Sequence, residues 1–361
     1  MKAFVKKLKA YKAEVTVEEI KKKYGLSKLV RLSSNESVYG PSPKAIEAIK
    51  GIDLSQLNYY PDGQAGPLRR AVAQQEGVAE DSLVFGDGGD EIIELLTRTI
   101  LTPGSEMIVP DPTFGEYVIH AEIEGAKTVA VPIKAATGQI DFAGMLKRVN
   151  NQTALIFLAN PNNPTGVQEK VADIEAFLKD LPNNVILVVD EAYYEFSGNA
   201  QASCVSLVAK YPNLVVLRTV SKAYGLANLR VGYAILPEKL AGILQAVRLP
   251  YNLSNFQITG AAAAIQDQDF LAQVVSKVAK EREIFQAFLK EVSIKFYPST
   301  ANFIWFEMKD SARLAERLLQ SGYQVKSSLD PNHIRLTLGK PEDNQAIRTI
   351  IKDYVQSAPA E

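Results

Sequence analysis

Short runs of apolar residues recur along the first two thirds of the chain. Seven of them occupy residues 82–86, 106–110, 127–133, 153–160, 185–192, 213–218 and 231–236. Most are continuous rather than alternating, and helix-like segments such as 90–100 and 168–181 lie between several of them. Because strands buried on both faces have this pattern, we predict an α/β fold with a mostly parallel, seven-stranded sheet covered by helices.

The pattern changes beyond residue 255. A long helical stretch leads to short β-rich runs at 301–307, 323–326 and 333–338, with a helix-like segment at 311–320 among them. This arrangement predicts a smaller α+β domain at the C-terminal end. We therefore divide the chain into an N-terminal arm over 1–34, a large domain over 35–250 and a small domain over 251–361.

Composition excludes several function classes. Lys plus Arg total 40 against 41 for Asp plus Glu, so no overall charge favours nucleic acid or an anionic membrane as a partner. The single cysteine, Cys204, and the two histidines, His120 and His333, are too few for the usual zinc sites. No apolar run is long enough to span a bilayer, and the first thirty residues lack the apolar core of a signal peptide. We expect a cytoplasmic protein without a metal.

Four short motifs follow predicted strands, and ligands of open α/β sheets bind at such strand ends. The first, GDGGDEIIELL, runs from glycines into a helix whose first turn carries Asp90. Exposed N–H groups at such a helix start form an anion site, although an ordinary acidic cap has the same pattern. The motif matches neither a Walker P-loop nor a GxGxxG dinucleotide fingerprint.

The other three motifs carry single polar residues in apolar surroundings. LANPNNPTG places Asn163 before a proline turn, which by itself indicates only a rigid loop. VVDEAYYEF ends an apolar run with Asp190, and a buried carboxylate requires a cation or hydrogen-bond donors. TVSKAYGLANLRVG places Lys222 just after a predicted strand, with Arg230 eight residues later. A single lysine is usually a surface residue, so only the combination is informative.

The combination resembles the fold-type I aminotransferases that use pyridoxal phosphate, and the resemblance covers nearly the whole chain. It is most similar to the histidinol-phosphate aminotransferase family of class II. The matching stretches follow in the family's order: SNESVYGPSPKAIEAI, NYYPDGQAGPLRRAVA, GDGGDEII, PDPTFGEY, ANPNNPTG, VVDEAYYEF, SKAYGLANLRVG, ANFIWF and HIRLTLG. The resemblance implies a fold-type I enzyme, pyridoxal phosphate as cofactor and a homodimer.

The resemblance also assigns roles to residues. It implies that Lys222 is the Schiff-base lysine and that Asp190 pairs with the protonated pyridine nitrogen of the cofactor. Asn163 and Tyr193 would hydrogen-bond the ring hydroxyl oxygen, and Phe114 would stack on the ring. The phosphate would be bound by Gly89, Asp90, Thr219, Ser221 and Arg230, with Tyr60 reaching it from the neighbouring subunit. Arg230 would lie about two helical turns from the lysine if the segment between them is helical.

The implied reaction is ping-pong transamination of L-histidinol phosphate with 2-oxoglutarate, giving imidazole acetol phosphate and glutamate. The substrate pocket would be formed by Arg335, Lys326, Asn35 and Tyr11. Lys326 stands where the family usually has an arginine, and lysine lacks the planar fork that binds a phosphate through two bonds. The arm also differs, since it has NESVYG where NENPYG is usual and YKAE where a Tyr-x-Pro-Gly turn often stands.

These differences leave the substrate open. An aminotransferase acting on aromatic amino acids is one alternative, and a decarboxylase of phosphorylated amino acids on the same scaffold is another. Regulators with this fold carry an N-terminal DNA-binding module, and only about thirty residues precede the SSNES stretch. A catalytically inactive relative would be expected to lose the lysine or the aspartate. We therefore expect an enzyme.

Overall fold

The computed structural model describes residues 4–7 and 15–357. Within these ranges the strands are β1 Val30–Arg31, β2 Leu83–Asp87, β3 Glu106–Asp111, β4 Lys127–Pro132, β5 Thr153–Ala159, β6 Ile186–Asp190, β7 Leu214–Thr219, β8 Val231–Ile235, β9 Phe303–Glu307, β10 Tyr323–Gln324 and β11 His333–Thr337. The helices are α1 Val17–Tyr24, α2 Pro43–Lys50, α3 Gly66–Glu76, α4 Gly88–Ile100, α5 Glu116–Glu124, α6 Phe142–Leu146, α7 Val171–Asp180, α8 Val205–Val208, α9 Glu238–Val247, α10 Asn255–Ile265, α11 Gln268–Glu291, α12 Ser311–Gln320 and α13 Pro341–Ser357.

Seven of these strands form the central sheet, in the order β2-β8-β7-β6-β5-β3-β4. Strands β3 to β7 are parallel to one another, and β8 runs antiparallel to both of its neighbours. The α/β architecture and the seven predicted strands are confirmed. Because β5, β6 and β7 are adjacent and parallel, their carboxyl ends lie side by side at one edge of the sheet.

The sheet is buried on both faces, which explains the continuous apolar runs. Along β5, Ile156 and Leu158 join one apolar cluster, whereas Leu155 and Phe157 join the other. Strands β6 and β7 divide their side chains between the same two clusters. Successive residues of a strand point to opposite faces, so a strand between two helical layers needs an apolar residue at every position.

In the described part of the C-terminal third, helices α10 to α13 accompany two small sheets. Strands β9 and β11 pair antiparallel, and β10 pairs in parallel with β1, which lies in the region predicted as the arm. The predicted strands at 301–307 and 333–338 and the helix at 311–320 are confirmed, while only two residues of 323–326 form a strand. The division into arm, large domain and small domain stays a prediction. Within the described part of the chain, no helix combines the length and the apolar character needed to cross a membrane.

Candidate active site

A cavity of about 160 Å³ opens at the carboxyl ends of β5, β6 and β7. Its lining residues come from these strand ends, from α4 and α5 and from the loop after β7: Gly89, Asp90, Ile93, Phe114, Tyr117, Ala159, Asn163, Asp190, Ala192, Tyr193, Leu217, Thr219, Ser221, Lys222, Ala227 and Arg230. The four motifs therefore meet in one place. Every residue predicted for catalysis or for cofactor binding is among them except Tyr60, which is predicted to come from the neighbouring subunit.

Asp190 is the deepest charged group of the cavity. It is the last residue of β6, is 6% exposed, and accepts hydrogen bonds from Tyr117 Oη at 2.6 Å and from the backbone N–H of Ala192 at 3.0 Å. Burial raises the pKa of its carboxyl to about 6, and these two hydrogen bonds only partly oppose that shift. Among the described residues Asp190 has no ion-pair partner. The carboxylate is therefore suited to pair with a cation on a bound molecule.

Lys222 lies three residues after β7, and its amine points into the same space. Its Nζ donates a hydrogen bond to the carbonyl oxygen of Ser34 at 3.0 Å and lies 5.9 Å from the ring centroid of Tyr193. The phenol of Tyr193 is held in turn, because Asn35 Nδ2 donates to its oxygen at 3.0 Å. The predicted Schiff-base lysine and the predicted ring-oxygen ligand are thus adjacent.

The opposite end of the cavity is rich in donors. Helix α4 starts at Gly88, whose φ of +81° is left-handed and whose Cβ, if it had one, would collide with the guanidinium of Arg230. The arginine donates to Asp90 Oδ2 at 3.0 Å and remains 41% exposed. The hydroxyl oxygen of Thr219 lies within hydrogen-bond distance of the backbone oxygen of Val231, at 3.0 Å, and of Ser221 Oγ, at 2.9 Å.

The path from Lys222 to Arg230 is not helical, and the helical interpretation of this segment is wrong. The chain turns at Gly225, forms a short 3-10 helix over Ala227–Leu229 and reaches Arg230 with a left-handed φ of 55°, just before β8 begins. Strand β8 runs antiparallel to β7, so the segment must reverse its direction within a few residues. The positive φ angles of Gly225 and Arg230 are incompatible with a continuous α-helix.

Asn163 and Arg335 meet on the side of the cavity that faces β9 and β11. Arg335 Nη1 donates to Asn163 Oδ1 at 2.6 Å, and Nη2 donates to the carbonyl oxygen of Ser33 at 2.5 Å. Phe114 packs its ring edge-on against Tyr117, with centroids 5.5 Å apart. Asn163, which is predicted to bind the cofactor, and Arg335, which is predicted to bind the substrate, are therefore in direct contact.

The remaining predicted residues lie elsewhere. Tyr60 is 81% exposed and stacks on Tyr251 with ring centroids 4.7 Å apart, away from the cavity of its own chain. Lys326 is half-buried and pairs its backbone with that of Arg335, and Asn35 is 1% exposed behind Tyr193. Tyr11 lies outside the described residues. The substrate roles of Arg335, Lys326, Asn35 and Tyr11 stay predictions.

Sequence reasoning missed two contacts that complete the site. Tyr117 hydrogen-bonds Asp190, and the backbone oxygen of Ser34 accepts from Lys222. The PDPTFGEY stretch holds a partial signal for the first, since it places Tyr117 three residues after Phe114, which is itself predicted for the cofactor site. The second has no side-chain signal, because the acceptor is a backbone carbonyl.

The donor set fits pyridoxal phosphate. Asp190 offers a buried carboxylate for a ring cation, Lys222 offers an amine for an aldehyde, and Asn163 and Tyr193 offer polar groups for a ring oxygen. The N–H groups at the start of α4 and the guanidinium of Arg230 lie where a phosphate can be bound. Among the described residues, no group of three or more His, Cys, Asp or Glu is arranged to hold a metal ion.

Comparison with known proteins gives the same assignment. The family model for aminotransferase class I and II matches residues 27–351. The chain belongs to this aminotransferase family. The aminotransferase is 52% identical over 354 residues to histidinol-phosphate aminotransferase of Leuconostoc citreum, covering 98% of this chain and 100% of that relative. It is 53% identical to the protein of that name from Leuconostoc mesenteroides, covering 96% and 98% of the two chains.

The fold comparison agrees with the sequence comparison. The aminotransferase superposes with a TM-score of 0.88 on the crystal structure of histidinol-phosphate aminotransferase from Sinorhizobium meliloti in complex with pyridoxal-5'-phosphate. The two proteins are 26% identical, and the match covers 99% of this chain and 98% of the other. The predicted fold class and the predicted family are therefore confirmed.

Proposed function

We propose that this aminotransferase transfers the amino group of L-histidinol phosphate to 2-oxoglutarate with pyridoxal phosphate as cofactor, giving imidazole acetol phosphate and glutamate. The observation that carries the proposal is the convergence of Lys222, Asp190, Asn163, Tyr193 and Arg230 on one cavity. The substrate comes from the relatives, which carry the name histidinol-phosphate aminotransferase at 52% and 53% identity.

Each residue then has a defined task. Pyridoxal phosphate, when bound, supplies a ring that accepts the electrons left when the substrate Cα–H bond breaks. Asp190 would pair with the ring nitrogen and keep it protonated, while Tyr193 and Asn163 would hold the ring oxygen. Lys222 Nζ would hold the cofactor at its aldehyde, and its amine, once free, would move a proton from the substrate Cα to the cofactor carbon next to the ring.

The cofactor phosphate would be bound by hydrogen-bond donors at one end of the cavity. The backbone N–H groups of Gly89 and Asp90 point from the start of α4, and Thr219, Ser221 and Arg230 line the same end of the cavity. A phosphate there would draw Arg230 away from Asp90, to which it now donates at 3.0 Å. Arg335 and Lys326 would serve the second anion, the phosphate of the substrate.

We further propose a homodimer in which Tyr60 completes the neighbouring subunit's site. Tyr59, Tyr60 and Tyr251 are 68%, 81% and 48% exposed, which is unusual for large aromatic side chains unless they face a partner. Sedimentation velocity of the wild-type protein and of Tyr60→Ala would test both parts, since a monomeric wild type contradicts them. The cytoplasmic location stays a prediction as well.

The test of the substrate is a half-reaction. Cofactor-loaded protein is mixed with L-histidinol phosphate, and separately with L-phenylalanine, without an amino acceptor, and the visible absorbance of the lysine-bound cofactor is followed. We expect a fast loss of the band with the phosphate compound alone. Fast loss with phenylalanine alone would replace the proposal by an aromatic aminotransferase. Carbon dioxide release from a phosphorylated amino acid would instead indicate a decarboxylase.

The matched control is Lys222→Ala. We expect this variant to fold and to bind the cofactor without the lysine-linked absorbance and without turnover. Retained turnover in Lys222→Ala would contradict the mechanism.

A further inference from the structure

Three consecutive residues, Ser33 to Asn35, contact three site residues one after another. The contacts are Arg335 Nη2 with Ser33 O at 2.5 Å, Lys222 Nζ with Ser34 O at 3.0 Å and Asn35 Nδ2 with Tyr193 Oη at 3.0 Å. The 33–35 segment therefore lies between the group predicted to bind the substrate anion and the two groups predicted to act at the cofactor. Two of its three contacts use backbone oxygens, which no substitution of a side chain removes directly.

The 33–35 segment is anchored in the C-terminal strands. The N–H of Leu32 donates to Gln324 O at 2.7 Å, and the N–H of Thr337 donates to Leu32 O at 3.0 Å. Three residues further, the N–H of Asn35 donates to Thr337 Oγ1 at 3.0 Å, and Asn302 Nδ2 donates to Asn35 O at 3.1 Å. The position of the segment is thus set by strands β10 and β11 and by the residue before β9.

Asn35 has an unusual backbone. Its φ is 57°, in the left-handed region where an asparagine is tolerated better than most residues with a Cβ. This φ sets the orientation of the peptide group that joins Ser34 to Asn35, and the oxygen of that peptide group accepts from Lys222. The same residue therefore aims a backbone oxygen at the lysine and a side-chain amide at the tyrosine.

Both polar atoms of the Asn35 amide form hydrogen bonds inside the protein. Its Oδ1 accepts from Thr337 Oγ1 at 3.0 Å, its Nδ2 donates to Tyr193, and the residue is 1% exposed. Both polar atoms of the amide are bonded within the protein, and its burial keeps the second N–H of Nδ2 away from a substrate. Its effect on the reaction must pass through the residues that it contacts.

We propose that Asn35 is a positioning residue, which holds the Tyr193 hydroxyl and the Ser34 carbonyl so that the Lys222 amine is directed toward the cofactor carbonyl carbon. The proposal rests on the proposed function only for the cofactor and not for the amino substrate. It differs from a role for Asn35 in lining the substrate pocket, and it also differs from a purely structural role in the turn.

The test uses Asn35→Gly, Asn35→Ala and Tyr193→Phe in the full-length protein. Glycine keeps the left-handed φ and removes the amide, whereas alanine removes the amide and strains the backbone. The rate at which the cofactor-free protein captures pyridoxal phosphate on Lys222 is followed by the visible absorbance. Loss of one hydrogen bond from the positioned tyrosine should slow capture in Asn35→Gly by roughly tenfold, and Asn35→Ala should be slower still.

A double-mutant cycle separates positioning from structure. In the Tyr193→Phe background, Asn35→Gly should slow capture less than about twofold, because the partner of the amide is already absent. The matched control is Asn213→Gly, which removes another buried asparagine amide, bonded to Val185 O at 2.9 Å just before β7 begins. It should lower the unfolding midpoint by as much as Asn35→Gly does and leave capture unchanged.

The outcomes distinguish the alternatives. Equal slowing by Asn35→Gly in both backgrounds, or unchanged capture, would overturn the proposal. Normal capture with a raised KM for the amino substrate would assign Asn35 to the substrate pocket and overturn it as well. Capture needs no amino substrate, so failure of the wild type to react with L-histidinol phosphate would contradict the proposed function and leave this result intact.

Discussion

Two neighbouring carboxylates at the end of β6 have opposite environments. Asp190 and Glu191 are both buried, with 6% and 0% exposure. Glu191 accepts from Arg218 Nε at 2.9 Å, from Ser203 Oγ at 2.8 Å and from the N–H of Cys204 at 2.6 Å. Asp190 faces the cavity with only a phenol and one backbone N–H as donors. Among the described residues, Glu191 has a cation as its partner and Asp190 has none.

The contrast separates a structural charge from a functional one. Burial raises the pKa of both carboxyls, and for Glu191 the guanidinium of Arg218 is the strongest opposing influence. For Asp190 the opposing influences are hydrogen bonds, so its carboxyl reaches a pKa of about 6. A buried charge with an internal partner belongs to the structure, because removing that partner is costly, whereas a buried charge without a partner is typical of groups that act on a bound molecule.

Arg218, the ion-pair partner of Glu191, lies at the centre of a buried cluster of charged side chains. The arginine is 2% exposed, its guanidinium lies 3.9 Å from the ring centroid of Tyr194, and it faces three carboxylates, Glu76, Glu191 and Glu195. A single cation cannot neutralise three anions, and burial raises the pKa of Glu195 to about 7. Glu195 thus carries a proton over much of the range below neutral pH.

The largest expected effect belongs to Asp190. Asp190→Asn removes the carboxylate but keeps its size, so kcat/KM should fall by about a thousandfold, which corresponds to roughly 4 kcal/mol. The cofactor-free variant should be at least as stable as wild type above pH 7, because an uncompensated buried charge is gone. Steady-state kinetics and urea unfolding at pH 8 check the two parts. A less stable cofactor-free variant would contradict the distinction between Asp190 and Glu191.

Arg218→Met should have the next largest effect, on folding. The substitution leaves Glu191 and its acidic neighbours without a cation, so the free energy of unfolding should fall by about 3–5 kcal/mol at neutral pH. Urea unfolding followed by circular dichroism measures it. The control is Lys210→Met, because Lys210 forms an exposed ion pair with Glu175. We expect little or no change in its free energy of unfolding. If the free energy of unfolding fell no more than in the control, a structural role for Arg218 would be contradicted.

The third prediction concerns pH. The pKa of Glu195 is raised in the folded protein from 4.5 to about 7, so the unfolded chain releases the proton first. The contribution of Glu195 to stability is therefore fully present below about pH 4.5 and is lost as the pH rises to 7, by at most about 3 kcal/mol.

Glu195→Gln is the variant that tests this pH dependence. It should flatten the pH profile of unfolding between pH 5 and 8 and should exceed wild type in stability at pH 8. A profile with the same slope in both proteins would count against the shift.

Tyr117→Phe should have the smallest effect. Its hydroxyl donates to Asp190 and holds the pKa of that carboxyl below the value that burial alone would produce, so its loss should raise that pKa further. We expect weaker cofactor binding below neutral pH by severalfold, in line with one lost hydrogen bond of about 1 kcal/mol. Spectroscopic titration with pyridoxal phosphate from pH 5.5 to 8 measures it, and equal weakening at every pH would contradict the coupling to Asp190.

The sequence by itself determined the sheet and the set of chemical groups. Strands such as β5 and β7 are apolar at nearly every position because both faces of the sheet are covered, and this pattern is visible along the chain. The ends of parallel strands lie together by topology, so Asn163, Asp190 and Lys222 could be expected at one edge before any contact was known.

Only the tertiary structure decided how those groups are held. The Lys222 contact with Ser34 joins residues 188 positions apart, and Arg335 reaches Asn163 across 172 positions. Asn35 and Thr337 are 302 positions apart and are bonded twice. Such contacts leave no periodic pattern, and some use backbone atoms that every residue has. Their geometry arises only when distant parts of the chain pack together, and the order of residues along the chain does not specify how close those parts come.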